Sequence, residues 1–337
     1  MTPDPKRLRE TSWQPQRTSV SNILLLGGTG FVGRAVCDKL VERSGGSGGP
    51  VTVPSRQPQR AKAIQLLPTI QLHKADVHDE ATLTRLVAGR DAVINLVATL
   101  HGSEAELQRV HVELPRKLAR ACLATGVRRV VHVSALGAAD GAPSRYLRTK
   151  AQGEAVLRDA GLALTVLRPS VIFGAEDRFL NLFAKLQALF PVMPLACADA
   201  RFQPVWVNDV AQAIVTALDQ PDSIGHTFEC VGPRVYTLAE LVRMAGRWSG
   251  HERPVVALPA ALGRLQAMLM EWLPGEPLMS RDNIDSMQVA NVATGAAPAL
   301  EALGIAPTAI EGVMAPWLSR LGEATRLDVW RRGAGRA

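Results

Sequence analysis

The four cysteines, Cys37, Cys122, Cys197 and Cys230, are scattered, and no two form a C-x-x-C pair. That removes the usual signs of a zinc site or a disulfide framework and fits a reducing compartment. The seven histidines, His73, His78, His101, His111, His132, His226 and His251, show no metal-ligand spacing, so no metal is expected. No stretch reaches the roughly 18 uninterrupted apolar residues of a membrane span. Lys/Arg runs with interleaved aromatics are missing too, which argues against nucleic acid as a partner. No internal repeat is visible. Residues 1–20 are polar, contain Pro3, Pro5 and Pro15, and lack the apolar core of a secretory signal. They read as a disordered leader. Its arginines hint at a transit peptide, against which Asp4 and Glu10 count.

What is present is an ordinary globular composition. The 337 residues are 47% apolar with a net charge of +7, enough for one large domain, or a domain with a smaller lobe. The basic balance suits an anionic cofactor or lipid, although the arginine excess also follows from the bias that enriches Ala and Gly. Apolar runs at 22–27, 51–53, 70–75, 91–98, 129–133 and 162–168 read as buried parallel strands. Helical patterns lie between them near 31–43, 79–88, 104–125 and 145–160, with Asp79 as a helix cap above Leu83, Leu86 and Val87. His132, inside a strand run, reads as a core histidine.

This alternation predicts an α/β fold, a doubly wound parallel Rossmann sheet with right-handed crossovers over residues 21–174. Helical patterns near 177–189, 208–219, 237–249, 257–272 and 308–320 dominate thereafter. Residues 175–325 are therefore expected to form mainly a smaller, mostly helical C-terminal lobe. A strand near 226–231 would return to the sheet, and 326–337 would be a tail.

The strongest functional signal is Gly27-Gly28-Thr29-Gly30-Phe31-Val32-Gly33, directly after the run Ile23-Leu24-Leu25-Leu26. Gly28, Gly30 and Gly33 fit G-x-G-x-x-G, and Gly27, Gly30 and Gly33 fit the wider G-x-x-G-x-x-G spacing. Glycines let the chain turn sharply out of a strand and let backbone N–H groups approach a pyrophosphate at the positive end of the next helix.

The second strand ends in Val53-Pro54-Ser55-Arg56. An acidic residue there would accept from a ribose 2′-hydroxyl, whereas Arg56, with Arg60 nearby, offers charge-assisted bonds to a 2′-phosphate. NADP(H) is thus preferred over NAD(H). Asp76, followed by Val77, is placed for the adenine edge, or else for a local turn. Asn95-Leu96-Val97-Ala98 ends the fourth strand near the cofactor, where Leu96 and Val97 would crowd that side.

Tyr146 and Lys150 stand at i and i+4 on one helical face, with Ser134 twelve residues before Tyr146. An ammonium beside a phenol lowers the phenol's pKa. Tyr146 could then exchange a proton with a substrate oxygen held by Ser134 while a nicotinamide transfers hydride. Alternatively, Tyr146 and Lys150 only bind the nicotinamide ribose. Pro169 ends the sixth strand, and the backbone after it, at Val171, could reach the nicotinamide carboxamide.

Residues 255–273 are strongly apolar, with Leu262, Leu265, Met268, Leu269 and Trp272 at helical spacing. They suit either a helix packed on the lobe's own core, which is slightly favoured, or an amphipathic helix for a membrane or partner protein. Phe179, Leu182, Phe183, Leu186 and Phe190 pose the same choice.

With these motifs the chain resembles the extended short-chain dehydrogenase/reductase superfamily, related to NAD-dependent epimerases and dehydratases. Longer strings carry a narrower likeness: residues 144–150, SRYLRTK; 173–181, FGAEDRFLN; 203–210, QPVWVNDV; 228–233, FECVGP; and 280–283, SRDN. They resemble the nucleotide-binding accessory subunit of respiratory complex I and its bacterial relatives. That resemblance implies tightly held NADPH with a structural role. It would place Gly27, Gly30 and Gly33 at the pyrophosphate, Arg56 at the 2′-phosphate, and Tyr146 and Lys150 at the nicotinamide ribose. It further implies respiratory-chain or quinone-pathway partners and a cytoplasmic place, peripheral on the inner face of the membrane. Enzymes of the superfamily carry Asn in a Val-Asn-Val string that orders a lysine-linked water relay; this chain has Val110-His111-Val112. The leading expectation is an NADP(H)-binding accessory protein. The alternatives are an active NADPH-dependent reductase working through Ser134, Tyr146 and Lys150 on a hydrophobic carbonyl or quinone-related substrate, and a redox sensor.

Overall fold

The computed structural model describes residues 20–272 and 279–320. Apart from Val20, the expected leader and the expected tail lie outside the described residues. Seven parallel strands form one sheet: β1 (Ile23–Leu26), β2 (Val51–Ser55), β3 (Ile70–Lys74), β4 (Ala92–Asn95), β5 (Arg129–Val133), β6 (Ala163–Pro169) and β7 (Thr227–Cys230). Their order is β7-β6-β5-β4-β1-β2-β3. The winding reverses at β1, which pairs with β2 on one side and β4 on the other, Leu26 standing opposite Asn95. Ligands of open α/β sheets bind beyond the carboxyl ends of the strands at such a reversal. The glycine-rich turn leaves β1 there.

Successive β1 side chains feed opposite faces. Ile23 and Leu25 join Val36 and Leu40 of helix Phe31–Ser44 and Val210 and Ile214 of helix Val207–Asp219. Leu24 and Leu26 join Leu83, Val87, Leu114, Leu118 and Leu157 on the other face. Asp79 caps helix Glu80–Val87 by accepting from Thr82 N–H at 3.0 Å, with Leu83 and Val87 buried and Leu86 packed beside them.

The helical stretch expected over 104–125 is broken by a π-turn, Arg109–Glu113, between Glu104–Gln108 and Leu114–Thr125. A close helix crossing lies at this point: a Cβ at Gly153 would lie 2.0 Å from the His111 carbonyl oxygen. π-turns inside α-helices often mark functional positions, and this one presents His111.

Helices Leu180–Leu189, Leu238–Ser249 and 310–320 enclose a second core around Phe173, Leu180, Leu241, Val242, Met314 and Leu318. Phe183 is buried there and Phe179 and Leu186 pack against it, whereas Phe190 faces solvent. The helix expected from 177 starts at Leu180 because the buried Asp177 carboxylate accepts from Gly174, Phe179 and Asn181 N–H at 3.1, 2.8 and 3.2 Å and holds a turn. Burial pushes the Asp177 carboxyl up, and these N–H bonds oppose the shift.

Candidate functional site

The turn after β1 is built of glycine by necessity. Gly27 has φ +83°, and a Cβ there would meet Leu96 C at 3.1 Å and Val97 N at 3.2 Å. The backbone that follows β4 therefore presses directly on Gly27. A Cβ at Gly33 would lie 2.3 Å from Gly27 O and 2.5 Å from Gly28 Cα. Gly30 N–H closes the turn on Gly27 O at 3.1 Å. The helix that follows has no capping side chain and no acidic residue in its first turn, so its positive end remains uncompensated toward an anion. Phe31 packs its ring against Gly174, Val32 lies against the β1 core layer, and Arg34 pairs with Glu176, so cradle and lobe touch. Val97 donates its N–H to Asn95 Oδ1 at 3.2 Å and packs on the opposite layer, while Ala98 is exposed.

At the other side of the crevice Arg56 and Arg60 are exposed just past β2, and Arg56 makes no hydrogen bond or ion pair among the described residues. Asp76 accepts from His78 N–H at 3.0 Å, the local turn that competed with adenine recognition; its side chain remains exposed. Val77 packs half-buried beside it. His78 is held below the ordinary histidine range by burial first and then by Arg109, with Lys117 and Arg56 adding to the effect and Asp76 opposing it. Lys117 Nζ also donates to His78 O at 2.7 Å. Arg109 and Lys117 thus extend the positive field around Arg56, which their place within a helical pattern gave no reason to expect.

Ser134, Tyr146 and Lys150 stand around the ends of β5 and helix Arg145–Asp159. Ser134 Oγ is buried and has no hydrogen-bond partner among the described residues. Lys150 is buried and donates to Val133 O at 2.8 Å; burial lowers its pKa to about 8, against the pull of Glu154. Burial also pushes the Tyr146 phenol up to about 12. This corrects the expectation of a phenol pKa lowered by lysine: desolvation of the phenolate sets the direction of the shift.

Two imidazoles complete the cluster. His111 Nε2 accepts from Thr99 N–H at 3.1 Å, which leaves the proton on Nδ1, 2.9 Å from Thr149 Oγ1. Thr149 Oγ1 in turn donates to Tyr146 O at 2.9 Å, and the His111 ring meets Tyr146 edge-on at 5.4 Å. Burial, then Lys150, lowers the His111 pKa to about 3. His132 is buried as the core histidine its strand position implied, with Asn95 Nδ2 3.2 Å from its Nδ1. Burial first, with help from Lys150 and His111, holds it well below the usual range. Both rings are neutral at physiological pH.

Pro169 is the last residue of β6, as expected. The amide of Val171 donates to Asn291 Oδ1 at 3.0 Å, and Ser170 Oγ donates to the same oxygen at 2.5 Å. That amide is therefore engaged within the chain. Asp282 is the other residue that sequence reasoning gave no role. Its carboxylate accepts from Arg145 N–H at 2.8 Å and Tyr146 N–H at 3.0 Å, across 137 and 136 residues of chain. The only trace of it in the sequence was the string of residues 280–283.

The reading of 255–273 also needs correction. In helix Ala260–Glu271 the buried residues are Gly263 and Ala267, while Leu262, Leu265, Leu269 and Trp272 are 46 to 77% exposed. A Cβ at Gly263 would lie 2.7 Å from Ala196 Cβ. The helix therefore packs by its small residues and turns its large apolar ones outward. Leu273 lies outside the described residues.

These features fit a pyridine dinucleotide: an uncapped helix start, a turn that admits no side chain at Gly33, an uncommitted arginine and a buried hydroxyl without a partner. Comparison with known proteins agrees. The family model described as NAD(P)H-binding matches residues 27–189. NADH dehydrogenase (ubiquinone) 1 alpha subcomplex subunit 9, mitochondrial, of Mus musculus is 33% identical over 304 residues, covering 88% of this chain and 79% of that protein. The protein of the same name in Arabidopsis thaliana is 31% identical, covering 88% and 77%. Among solved structures, an NADPH-dependent quinone oxidoreductase from Escherichia coli complexed with NADPH superposes with a TM-score of 0.71 at 22% identity, over 89% of this chain and 99% of that one, a likeness of fold. With the glycine cradle, the parallel sheet and these relatives together, the chain belongs to the family of the alpha subcomplex subunit 9 of NADH dehydrogenase, NAD(P)H-binding proteins with an extended short-chain dehydrogenase fold.

Proposed function

We propose that the chain is an accessory protein of a respiratory NADH dehydrogenase that holds NADP(H) as a structural ligand. The observation that carries this reading is the proton inventory beside Tyr146. The phenol is pushed up to about 12, Lys150 is committed to Val133 O, and His111 uses both ring nitrogens. A bound nicotinamide would supply hydride chemistry, but the hydrogen bonds of Lys150 and His111 run to Val133, Thr99 and Thr149, and among the described residues none joins either group to the Tyr146 hydroxyl. A ligand held at about 100 times its dissociation constant stabilises a fold by roughly 2.7 kcal/mol without turnover.

In this reading Gly27, Gly30 and Gly33 take the pyrophosphate, Arg56 the 2′-phosphate, Asp76 the adenine edge, and Tyr146 with Lys150 the nicotinamide ribose. The outward face of helix Ala260–Glu271 makes a peripheral contact with the membrane. No helix of the described residues is long and apolar enough to cross a membrane. Arg56→Ala should weaken NADPH roughly tenfold to hundredfold, the worth of charge-assisted hydrogen bonds, and leave NADH nearly unchanged in calorimetry. Equal losses for both nucleotides would remove Arg56 from the 2′-phosphate. Co-purification with respiratory-chain subunits, without NADPH oxidation, supports the accessory role.

One observation favours a second reading. The unpartnered, buried Ser134 Oγ is what a reductase would use to hold a carbonyl oxygen. In that case NADPH would be oxidised by a hydrophobic quinone-like carbonyl, and Tyr146→Phe would abolish the absorbance change. Absence of turnover across such carbonyls would discard it.

A further inference from the structure

We infer that Asp282 is a positioning residue by which the C-terminal lobe sets the nicotinamide end of the nucleotide site and links its occupancy to the exposed apolar helix. This deepens the NADP(H) reading above and rests on it.

Helix Arg145–Asp159 carries both Tyr146 and Lys150, and like any helix it starts with N–H groups that lack intrahelical partners. Its own Ser144 satisfies only Leu147 N–H, at 3.2 Å. The N–H groups of Arg145 and Tyr146 itself go to the two carboxylate oxygens of Asp282, at 2.8 and 3.0 Å. Arg145 Nε adds a longer contact at 3.4 Å. A negative charge at a helix N-terminus is favourable, and Asp282 is largely buried. The residue that fixes the backbone of Tyr146 is therefore borrowed from the lobe.

Asp282 does not stand alone. It lies in helix Arg281–Ser286, which starts with a reciprocal cap between Ser280 and Asn283. That short helix is fastened to helix Ala260–Glu271 by three links. Arg281 meets Glu271 at 2.9 Å, Asp285 meets Arg264 at 2.7 Å, and Ile284 packs with Ala267 and Ala196. Five residues past its end, Asn291 grips Ser170 and Val171 on the far side of the same mouth. One segment thus spans the nicotinamide end and reaches the base of the helix whose Leu262, Leu265 and Leu269 face outward. Anything that orders the start of the Tyr146 helix orders this segment, and by linkage the reverse holds.

The test uses the full chain, calorimetry and two probes: NADPH, and 2′-phospho-ADP, which keeps the adenosine, its 2′-phosphate and the diphosphate but lacks both the nicotinamide and its ribose. Asp282→Ala should weaken NADPH roughly tenfold or more while 2′-phospho-ADP keeps its affinity within about twofold. Asp282→Asn, which keeps one acceptor, should fall between, and serves if the alanine variant does not fold. In parallel, NADPH should slow amide exchange across 260–271 in the unaltered chain and not in Asp282→Ala, and 2′-phospho-ADP should slow it in neither. Equal weakening of both ligands would reduce Asp282 to general support of the fold and overturn the inference. So would unchanged NADPH affinity, or equal protection of 260–271 in variant and parent. If the unaltered chain binds neither probe, the NADP(H) reading itself fails, and the inference with it.

Discussion

Gly33→Ala is expected to abolish measurable NADPH binding. The added methyl would sit 2.3 Å from Gly27 O and 2.5 Å from Gly28 Cα. Both are backbone atoms in a turn already held by the Gly30 N–H bond to Gly27 O, so no side chain can swing aside. The turn must open, at a strain cost of about 1–3 kcal/mol, and its amide groups leave the positions that would meet a pyrophosphate. Affinity should fall at least roughly 100-fold, about 2.8 kcal/mol, and the NADPH-induced rise in Tm should vanish. Gly28→Ala is the internal comparison: its Cβ would meet Val53 Cγ1 at 2.8 Å and Leu25 Cδ2 at 2.9 Å, side-chain atoms that can give. It should retain more of the Tm rise. A Gly33→Ala protein with half or more of the parent's NADPH shift would show that the cradle is an ordinary tight turn.

Acid should destabilise the fold steeply, and His111 should carry a defined share. Its folded pKa is about 3 against an ordinary 6.5, with burial as the main cause. Below pH 6.5 the unfolded chain takes up a proton at this position and the folded chain does not. The unfolded state then binds more protons, so stability falls as pH drops, by up to about 1.4 kcal/mol per pH unit for one group, across the window from 6.5 to about 3. Above pH 6.5 the contribution is fully present. His132, also held low, adds in the same direction. His111→Asn keeps an acceptor for Thr99 N–H but cannot titrate. Urea unfolding at several pH values between 6.5 and 4.5 should give a slope shallower than the parent's by about one proton. Parallel slopes would mean that His111 is protonated in the folded protein.

The parts of this molecule that a sequence pattern specifies are those made by neighbours in the chain. Runs such as Ile23–Leu26 and Arg129–Val133 had to be buried strands, and the strand–glycine–helix succession could place its turn nowhere but the end of β1. Asp79 announced its helix because a cap acts over three residues. The Tyr146 phenol misled because the i, i+4 spacing reports adjacency to Lys150 but not desolvation, which is set by everything packed around both. The outward face of helix Ala260–Glu271 misled in a similar way. Spacing groups its leucines, but which side meets the lobe was decided by the close approach that Gly263 and Ala267 allow.

By itself, then, the chain's order of residues determined the strand-helix alternation, the glycine cradle and the arginine at the end of β2, since each depends on contacts within a few residues. Tertiary structure alone decided that Asp282 caps the Tyr146 helix, that Asn291 takes the Val171 amide, and that His111 stands in a π-turn with a single tautomer. Those arrangements join residues far apart in the chain. Their hydrogen-bond partners and solvation exist only once the lobe has closed against the sheet.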